Sequence, residues 1–596
     1  MILPENIFQE RIQTFKIEEN KLKTKIENWT IIRGIAFLIM LVATYLTAKY
    51  VSNLFAIVVL IISFGLFLIL VTKHLNFKKE LKICILFQKI NQFELNRLVN
   101  NFSGLPTGKE YIENEHPYLA DLDLFGNQSL FQLINRTHTH SGGILLSNWM
   151  KVAGSKTDIL NRQMASTELA NKLEFRQNFE VLSLFSDKIT TPATPILEWL
   201  QTAENSKVAK PLFKYGKYLP IITLLVLFGA IGGLYTFYFV ALFALFQGII
   251  LKMIDEEISN ALTKTEPISV ILTSFSEMIK SITDENFENN MLSNLKEKVI
   301  GASQKIIELQ KIIHFLSYRS NPVAALGSMI FMLDLHNFSK LENWKVENKE
   351  KLPIWLETIN EFEALNSLSA FEFANPNYIK PTIENQGNIL ATNQLGHPII
   401  PKSKRVYNDF KLDKIGKTII LTGSNMSGKS TFERTVGVNI VLALMGANVC
   451  ANDFQCAQLQ VFTSMRTQDS LENDTSSFYA ELKRLEKLIF LTKNNLKEKP
   501  IFYLLDEILK GTNSKDRHSG AKALILQLEK CNSSGIISTH DVDLGDEFEG
   551  KYFIENYSFT SEIQNNELMF DYKLKKGVCH SFNATELMRR IGIENI

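Results

Sequence analysis

The chain has 596 residues, and its 64 basic and 63 acidic side chains give a formal net charge of +1. A content of 45% hydrophobic residues excludes a disordered or collagen-like chain. The near-neutral charge argues against a strongly basic nucleic-acid binder. The mean hydropathy of +0.00 is high for a soluble protein. The five cysteines show neither CxxC nor metal-ligand spacing, which indicates a reducing compartment.

The apolar excess lies in two blocks, which predict four transmembrane helices arranged as two hairpins. In residues 30–74, the uncharged segments 34–48 and 54–72 predict one span on each side of Lys49. In residues 216–252, no charge occurs between Lys217 and Lys252. The Gly232-Gly233 pair there offers a turn between spans at about 219–233 and 236–251. A buried core hairpin is the alternative for this second block.

The charges that flank these blocks predict an orientation. Lysine and arginine residues cluster at the outer ends of each predicted hairpin, whereas Lys49 is the one charge between any two paired spans. The positive-inside bias therefore predicts a multi-pass membrane protein with the bulk of the chain in the cytoplasm. Residues 1–29 carry mixed charge without an apolar core, so they predict a cytoplasmic segment and no signal peptide.

Residues 75–215 and 252–395 are predicted to be mostly helical. The clearest periodicity runs from Leu292 to Leu316 in alternating steps of three and four residues. Either a long helix packed against another helix or an oligomerising coiled coil would produce this pattern. His138 and His140 form an HxH pair, but no further ligand is placed by spacing, so we interpret them as ordinary loop histidines.

The last 200 residues change to an alternation of β-rich and helical stretches, which predicts an α/β domain with a parallel sheet. The strand-like segment 418–422 leads into G-x-x-x-x-G-K-[ST], and a helical run follows it, which is the context that a phosphate-binding loop requires. Lys429 is expected to reach the β- and γ-phosphates, and the Ser430 hydroxyl is expected to bind Mg²⁺. The predicted nucleotide-binding residues of this loop are Gly423, Ser424, Asn425, Met426, Ser427, Gly428, Lys429, Ser430 and Thr431.

Two further strands are predicted to deliver acidic and basic groups to the same edge of the sheet. Residues 501–505 end in Asp506 and Glu507, with Asp506 predicted beside the Mg²⁺ and Glu507 near the attacking water. Residues 535–538 lead to His540, which can touch the γ-phosphate or that water. The order of these motifs is that of ATP-binding-cassette-type ATPases, in which two subunits form composite sites.

These residues resemble the ATPase of the MutS mismatch-repair family. The resemblance lies in 421–431, in 504–513, in the signature-like segment 469–478 with Glu481, in His397-Pro398, and in 570–577. Segments at 130–137, 142–143 and 146–149 are similar to the start of the MutS helical core. The resemblance implies that Glu507 is the general base and His540 a sensor. It also implies that His397 contributes to the nucleotide site, and that Ser476 reaches the partner subunit's γ-phosphate.

Some residues depart from the family pattern. Ser424 and Ser427 replace residues at free positions of the loop, so nucleotide binding should survive. Asp474 stands where the signature has glycine, which puts trans activation in doubt because a carboxylate repels a triphosphate. Leu509 and Lys510 replace a Gly-Arg pair. The mismatch-reading and connector domains of the family are expected to be absent.

The resulting domain prediction has six parts. They are a cytoplasmic segment 1–29, hairpin 30–74, helical core 75–215, hairpin 216–252, helical core and lever 253–380, and an ATPase domain 381–596. The predicted function is that of a membrane-anchored MutS-like ATPase using ATP and Mg²⁺. The resemblance implies a homodimer through the ATPase domains, with double-stranded DNA as partner. The alternatives are an ATP-driven membrane scaffold without DNA binding and, with less support, an ABC-type transporter, which lacks its Leu-Ser-Gly-Gly-Gln signature here.

Overall fold

The structure is a computed structural model that describes residues 3–186, 190–202, 212–213, 216–384, 389–465, 477–494, 499–564 and 567–579. The chain divides into two compact units. The first comprises Met1–Leu95, Thr137–Gly142 and Lys172–Glu363, and the second comprises Asn96–Arg136, Gly143–Asn171 and Ala364–Ile596. The fold is mostly helical, with α/β structure in the C-terminal part.

The helices up to residue 374 are α1 (Pro4–Tyr50), α2 (Asn53–Leu98), α3 (Leu130–Ile134), α4 (His140–Lys151), α5 (Lys156–Asn171), α6 (Leu173–Leu184), α7 (Thr194–Gln201), α8 (Leu219–Ile231), α9 (Tyr238–Met253), α10 (Asp255–Asp284), α11 (Asn290–Glu297), α12 (Ala302–Ser317), α13 (Pro322–Phe331), α14 (Leu333–Asn348) and α15 (Lys351–Ala374). Single 3₁₀ turns lie at Lys109–Tyr111, Gly216–Tyr218 and Tyr318–Ser320.

Helices α1 and α2 form an antiparallel hairpin that turns at Val51 and Ser52. The pairing is fixed by rings that meet along its length, with Trp29 and Phe77 centroids 5.8 Å apart and Phe37 and Phe67 centroids 5.7 Å apart. Both helices are long and apolar enough to cross a membrane, and only 6% of each apolar window is buried. The two predicted helices of the first hairpin are therefore confirmed as helices.

The second apolar block also folds as two helices joined at Gly232-Gly233, where Gly233 has a φ of +76°. Helices α8 and α9 have 13 and 16 residues. At 1.5 Å per residue, both are shorter than the ~30 Å hydrocarbon core. Helix α9 reaches the length of a span only together with Asp255–Ser269 of α10, which follows after a bend of 53°. Two spans are thus supported by length, and the second predicted pair stays a prediction.

The remaining first unit is a helical assembly in which α10 packs against α6, α7 and α12, and α12 packs against α14. All the seam residues from Leu292 to Leu316 are buried, as their spacing predicts. The expectation of one continuous helix is wrong, because the chain breaks between α11 and α12. Gly301 adopts a φ of +77° there, a conformation that favours glycine and ends regular helix. The seam therefore serves the interior of this unit.

The second unit contains the strands β1 (Thr382–Glu384), β2 (Leu390–Leu395), β3 (Asn408–Leu412), β4 (Thr418–Gly423), β5 (Asp453–Ala457), β6 (Gln460–Ser464), β7 (Ile501–Asp506), β8 (Ser534–Thr539), β9 (Ile554–Gln564) and β10 (Glu567–Lys576). Its later helices are α16 (Lys429–Met445), α17 (Ser477–Lys493), α18 (Ser514–Lys530) and α19 (Val542–Glu547). A four-stranded sheet has the order β1-β5-β2-β3, and a six-stranded sheet has the order β10-β9-β4-β8-β7-β6.

The six-stranded sheet carries the residues predicted to be functional. Strands β4 and β8 are buried at every residue, and β7 at every residue except Asp506, so apolar runs of this kind form the sheet centre. Strands β9, β4, β8, β7 and β6 run parallel, and β10 pairs antiparallel with β9. The predicted strands at 418–422, 501–505 and 535–538 are therefore confirmed.

Two parts of the segments that were predicted to be mostly helical are not helical. Residues 382–395 include β1 and β2, so strands begin before the predicted helical region ends. Residues 99–129 are largely irregular, with one 3₁₀ turn as their regular element. They are held instead by side chains; for example, Thr463 Oγ1 donates to Asp121 Oδ2 at 2.6 Å. A segment that is held by polar side chains does not need apolar residues at helical spacing.

Candidate nucleotide-binding site

The loop after β4 turns sharply and leads straight into α16. Gly423 has a φ of +151° and Gly428 a φ of +106°. A Cβ on Gly423 would lie 2.7 Å from the carbonyl oxygen of Phe559, so the loop passes too close to β9 for a side chain there. Both glycines of the motif are thus required by backbone geometry. The N-terminus of α16 lies at the end of this loop, and a helix N-terminus next to such a loop favours the binding of an anion.

Lys429 lies inside this loop. Its Nζ donates to the carbonyl oxygens of Gly423 at 2.8 Å and Ser424 at 3.1 Å. The side chain is 5% exposed, and burial lowers its pKa. The ammonium is therefore held by backbone dipoles at the centre of the loop, in the position from which it can meet a phosphate.

The hydroxyls of the loop provide a test of whether it suits a phosphate. The Oγ atoms of Ser424 and Ser427 are buried and have no hydrogen-bond partner among the residues that the structure describes. A buried hydroxyl without a partner costs free energy, so such atoms point to a missing ligand. A triphosphate would supply acceptors to both, and the loop residues therefore fit the group.

Ser430 connects the loop to the end of β7. Its Oγ donates to Asp506 Oδ2 at 2.6 Å, and the second carboxylate oxygen accepts from Ser538 Oγ on β8. Register explains the contact, because Asp506 pairs with Ser538 across the two parallel strands. A hydroxyl and a carboxylate side by side are the oxygen ligands that Mg²⁺ takes when phosphates and water complete its shell.

Glu507 and His540 meet at the same edge of the sheet. His540 Nε2 lies 2.8 Å from Glu507 Oε1, and Lys510 Nζ lies 3.0 Å from Glu507 Oε2. The hydrogen bond from His540, followed by that from Lys510, lowers the pKa of Glu507 to about 2. Glu507 has a φ of +51°, a strained conformation for a side-chain-bearing residue that is typical of functional turns. The carboxylate is ionised and already shared between two basic groups.

A cavity of about 500 Å³ runs from the loop to the neighbouring four-stranded sheet. Loop residues 424–431 and Glu507 line one end of it, and Val406, Asn408, His397 and Tyr572 are among the residues lining the rest. Burial lowers the pKa of His397 to about 4, so its ring is neutral at pH 7 and contributes no charge to the site.

Tyr572 reaches the loop because β10 is irregular. The register of β9 and β10 shifts between Phe570 and Leu574. Asn408 stabilises the shift by donating to the Tyr572 carbonyl at 3.0 Å and accepting from the Leu574 amide at 2.9 Å. A Cβ on Gly428 would lie 3.1 Å from the Tyr572 ring. The ring therefore covers the second glycine of the loop.

Of the signature-like segment 469–478, the structure describes only Ser477 and Phe478. Ser476 and Asp474 lie outside the described residues, so the predicted contact in trans stays a prediction. Helix α17 follows directly, and Glu481 on it accepts a hydrogen bond from the Leu509 amide. A Cβ on Gly511 would lie 2.5 Å from Phe478. The segment's helix thus packs on the turn that carries Lys510.

The structure brings most of the predicted site residues together. Lys429, Ser430 and Asp506 meet at the loop, and Glu507 and His540 meet beside them; Gly423 accepts from Lys429, and His397 lines the cavity. Sequence reasoning missed Tyr572, Asn408 and Ser538. Tyr572 lies in the 570–577 segment, whose resemblance to a closing strand could have pointed to it. Ser538, inside a buried strand, and Asn408, at the start of a strand, have no feature in the sequence that marks them as site residues.

Comparison with known proteins agrees with this geometry. The family model for MutS domain V matches residues 419–593. The DNA mismatch repair protein MutS of Clostridium novyi is 27% identical over 322 residues, which is 52% of this chain and 32% of that protein. That of Clostridium botulinum (strain Okra) is 27% identical over 323 residues, or 52% of this chain and 31% of that protein. The chain thus spans about a third of the length of these relatives.

The loop at residues 423–430, the Asp506-Glu507 strand end and the His540 strand end all fall within the matched region. The chain is thus similar to MutS proteins over about half of its length, and its residues 419–593 match the family model for MutS domain V.

Proposed function

We propose that this protein is a membrane-anchored MutS-like ATPase that binds ATP with Mg²⁺ and hydrolyses it. The observation that carries the proposal is the convergence of Lys429, Ser430, Asp506, Glu507 and His540 at the carboxyl edge of one parallel sheet. In open α/β sheets this edge is where ligands bind. Hydrolysis of a phosphoanhydride needs charge neutralisation and water positioning more than covalent help, and these residues can supply both.

The loop residues would hold the triphosphate. Backbone amides from 424 to 431 and the hydroxyls of Ser424 and Ser427 face the phosphate oxygens, and Lys429 exchanges its bonds to loop carbonyls for bonds to phosphate. Ser430 and Asp506 would hold Mg²⁺, which when bound offsets negative charge on the phosphates. Asn425 and Met426 border the same cavity, where Met426 is 84% exposed. Thr431 lines it at the start of α16.

Glu507 would act on the attacking water. With a pKa of about 2 it is a weak base while both His540 and Lys510 hold it. An effective general base has a pKa closer to the working pH, so we infer that the hydrogen bonds from His540 and Lys510 weaken before hydrolysis. His540 keeps the carboxylate oriented and contacts the γ-phosphate. Glu481 accepts a hydrogen bond from the Leu509 amide, next to Lys510. The rate of turnover would therefore depend on the turn that carries Lys510.

Two lines of evidence support membrane anchoring. The α1–α2 hairpin exposes nearly all of its apolar windows, and surfaces of that kind lie against lipid or a partner. Rings and basic groups flank the apolar part at both ends, with Trp29 beside Lys73 at one end and Tyr50 beside Lys49 at the other. From Trp29 to Tyr50 the helix rises ~30 Å, the thickness of the hydrocarbon core.

The finer parts of the architecture are included in the proposal. These are a second membrane hairpin at 216–252, multi-pass localisation with the bulk of the chain in the cytoplasm, and the boundaries 1–29, 30–74, 75–215, 253–380 and 381–596. The similarity to MutS supports a homodimer through the ATPase domains, in which Ser476 reaches the partner's site.

DNA is the partner that the similarity suggests, since the relatives are mismatch repair proteins by name. The net charge of +1 gives this part no electrostatic support. An ATP-driven membrane scaffold is the second candidate, and the exposed hairpin favours it.

The test of nucleotide binding is the affinity for a fluorescent ATP analogue with Mg²⁺, measured on the full chain in detergent. We expect Lys429→Met to weaken binding at least tenfold, because the buried ammonium is lost from the loop. Lys414→Met is the matched control, since Lys414 is exposed in the same unit. Equal affinity of Lys429→Met and wild type would contradict the proposed site.

The partner is tested by adding duplex DNA, with and without a mismatch, to the ATPase assay. A change in rate with either duplex supports a DNA partner. No change in rate or in electrophoretic mobility with both supports the scaffold function instead.

A further inference from the structure

Basic and aromatic side chains surround the α1–α2 hairpin where its apolar segment ends, opposite the Val51 turn. Lys73 Nζ lies 5.6 Å from the centroid of the Trp29 ring, and Lys25 Nζ lies 5.9 Å from that of Phe77. The two rings touch each other across the helices, with centroids 5.8 Å apart. We name these residues, together with two nearby cations, the inner belt: Lys25, Trp29, Arg33, Lys73, Phe77 and Lys78.

The cations of the inner belt form no ion pairs within the described part of the chain, although Glu27 and Glu80 lie two residues from Lys25 and Lys78. Among the residues that the structure describes, no carboxylate forms an ion pair with Lys25, Arg33, Lys73 or Lys78. Lys25 and Arg33 are eight residues apart on α1, or ~12 Å of helix, and Lys73 and Lys78 are five residues apart on α2, or ~8 Å. Like charges at these spacings repel one another, and an anion placed among them would be attracted.

Neighbouring lysines behave differently. Lys23 Nζ lies 2.6 Å from Glu19, and Lys79 Nζ lies 3.2 Å from Glu277. These lysines are therefore neutralised within the protein, whereas the belt cations are not. The ion pairs thus distinguish two groups: lysines that pair with carboxylates of the protein, and cations at the edge of the apolar segment that remain available to an external anion.

The interior of the belt adds no negative charge. His74, between the two helices, is 1% exposed, and its Nδ1 has no hydrogen-bond partner among the described residues. Its charged neighbours are Arg33 and Lys78. The site therefore has four cations, one buried imidazole and two aromatic rings at the level where apolar surface gives way to polar surface, and Glu27 is an exposed carboxylate between Lys25 and Trp29 on α1.

We propose that the inner belt binds the phosphate groups of acidic phospholipids in the cytoplasmic leaflet. The inference rests on the proposed membrane insertion of the hairpin. Aromatic rings favour the headgroup level, and arginine at the edge of the apolar segment reaches it by extending its side chain. A headgroup whose phosphate has no ammonium of its own supplies the missing anion, whereas phosphatidylcholine carries its own cation. Basic clusters next to a membrane helix bind acidic lipid by this electrostatic attraction.

The test uses the full chain in phosphatidylcholine nanodiscs that contain trace spin-labelled phosphatidylglycerol or spin-labelled phosphatidylcholine. The measured quantity is the ratio of the protein-immobilised fractions of the two labels. Each lysine near an acidic surface contributes up to about fivefold to association. We expect a ratio of about threefold to fivefold for the wild type, which falls towards one in 1 M salt as screening increases.

The variant Lys25→Gln/Lys73→Gln/Lys78→Gln is expected to have a ratio well below that of the wild type, because it keeps Arg33 as its single belt cation. The control changes three exposed lysines outside the hairpin, Lys340, Lys349 and Lys411, to glutamine, and it should keep the wild-type ratio. A wild-type ratio of one, or an equal ratio in the belt variant and the wild type, overturns the lipid site.

Failure of the proposed function gives a different result. A protein that does not enter the discs refutes membrane anchoring and the belt together. A protein that prefers phosphatidylglycerol in the discs but does not hydrolyse ATP supports the belt and refutes only the ATPase proposal.

Discussion

Replacing Glu507 by glutamine isolates the chemistry of the carboxylate from its position. Glutamine has the same shape, and its amide can accept from Lys510 and donate to the ring of His540, the two groups that hold Glu507 now. These contacts are partly exposed, with 23% of the Glu507 side chain accessible. The lowered pKa of Glu507 sets the upper limit for their loss as ion pairs at about 3 kcal/mol of folding free energy, and the hydrogen bonds that glutamine retains reduce this cost. The fold and the loop should remain as they are.

The expected effect is on the chemical step. General base catalysis contributes about 10²- to 10⁴-fold in rate, which corresponds to about 3–5 kcal/mol of activation free energy. Removing one negative charge from the lining of the cavity should leave ATP affinity equal or higher. Glu507→Gln should therefore bind ATP and retain it unhydrolysed.

The assay is single-turnover hydrolysis of radiolabelled ATP by protein in excess, with nucleotide retention measured by filter binding. Glu549→Gln is the matched control, because Glu549 is an exposed carboxylate in the same unit. A hydrolysis rate within about twofold of wild type would remove Glu507 as the base. Loss of ATP binding would instead indicate that Glu507 maintains the structure of the site.

Three further changes test separate parts of the structure. Tyr572 lines the cavity beside the loop, and we expect adenine to stack on its ring. Tyr572→Ala should therefore weaken ATP binding by about 1–3 kcal/mol, and equal loss for ATP and tripolyphosphate would contradict a base contact. The hydrogen bond to Asp541 raises the pKa of His518. Its stabilisation is therefore full below the unfolded pKa of about 6.5 and lost as pH rises through the folded value. Thermal melts should then show His518→Gln losing more stability at pH 6 than at pH 9, and an equal loss at both would refute the linkage. Gly535→Ala should lower the urea midpoint by the equivalent of about 1–3 kcal/mol, because its Cβ would lie 2.1 Å from the Tyr503 carbonyl oxygen; an unchanged midpoint would contradict this packing.

The phosphate side of the site could be predicted because each group follows a buried strand. Apolar runs that end in Gly423, in Asp506 and before His540 determine both the strands and the edge at which they finish. Parallel pairing then places these ends together without further information. Local sequence is therefore sufficient to predict a site residue when that residue lies at the end of a strand.

The other end of the cavity could not be predicted in this way. Tyr572 depends on a register shift in β10 and on hydrogen bonds from Asn408, far earlier in the chain. The break at Gly301 was hidden for a related reason, because the apolar steps from Leu292 to Leu316 continue unchanged across it. The spacing of apolar residues predicts which side of a helix faces the core. It is the same whether the segment forms one continuous helix or two helices with a break.

The short helices α8 and α9 mark a further limit. Apolar composition is the same for a span and for a helix that enters lipid partway, and the two differ in length. Their 13 and 16 residues, and the bend of 53° after α9, are features of backbone path that composition does not encode.

The most direct test of the account is phosphate release from ATP by membranes that contain the full chain, after an alkaline wash that removes peripheral proteins. We predict that the protein stays in the washed membranes and hydrolyses ATP in the presence of Mg²⁺, while membranes with Glu507→Gln release phosphate at least a hundredfold more slowly. Activity recovered in the wash would contradict membrane anchoring. Equal phosphate release from wild-type and Glu507→Gln membranes would contradict the assignment of the ATPase site.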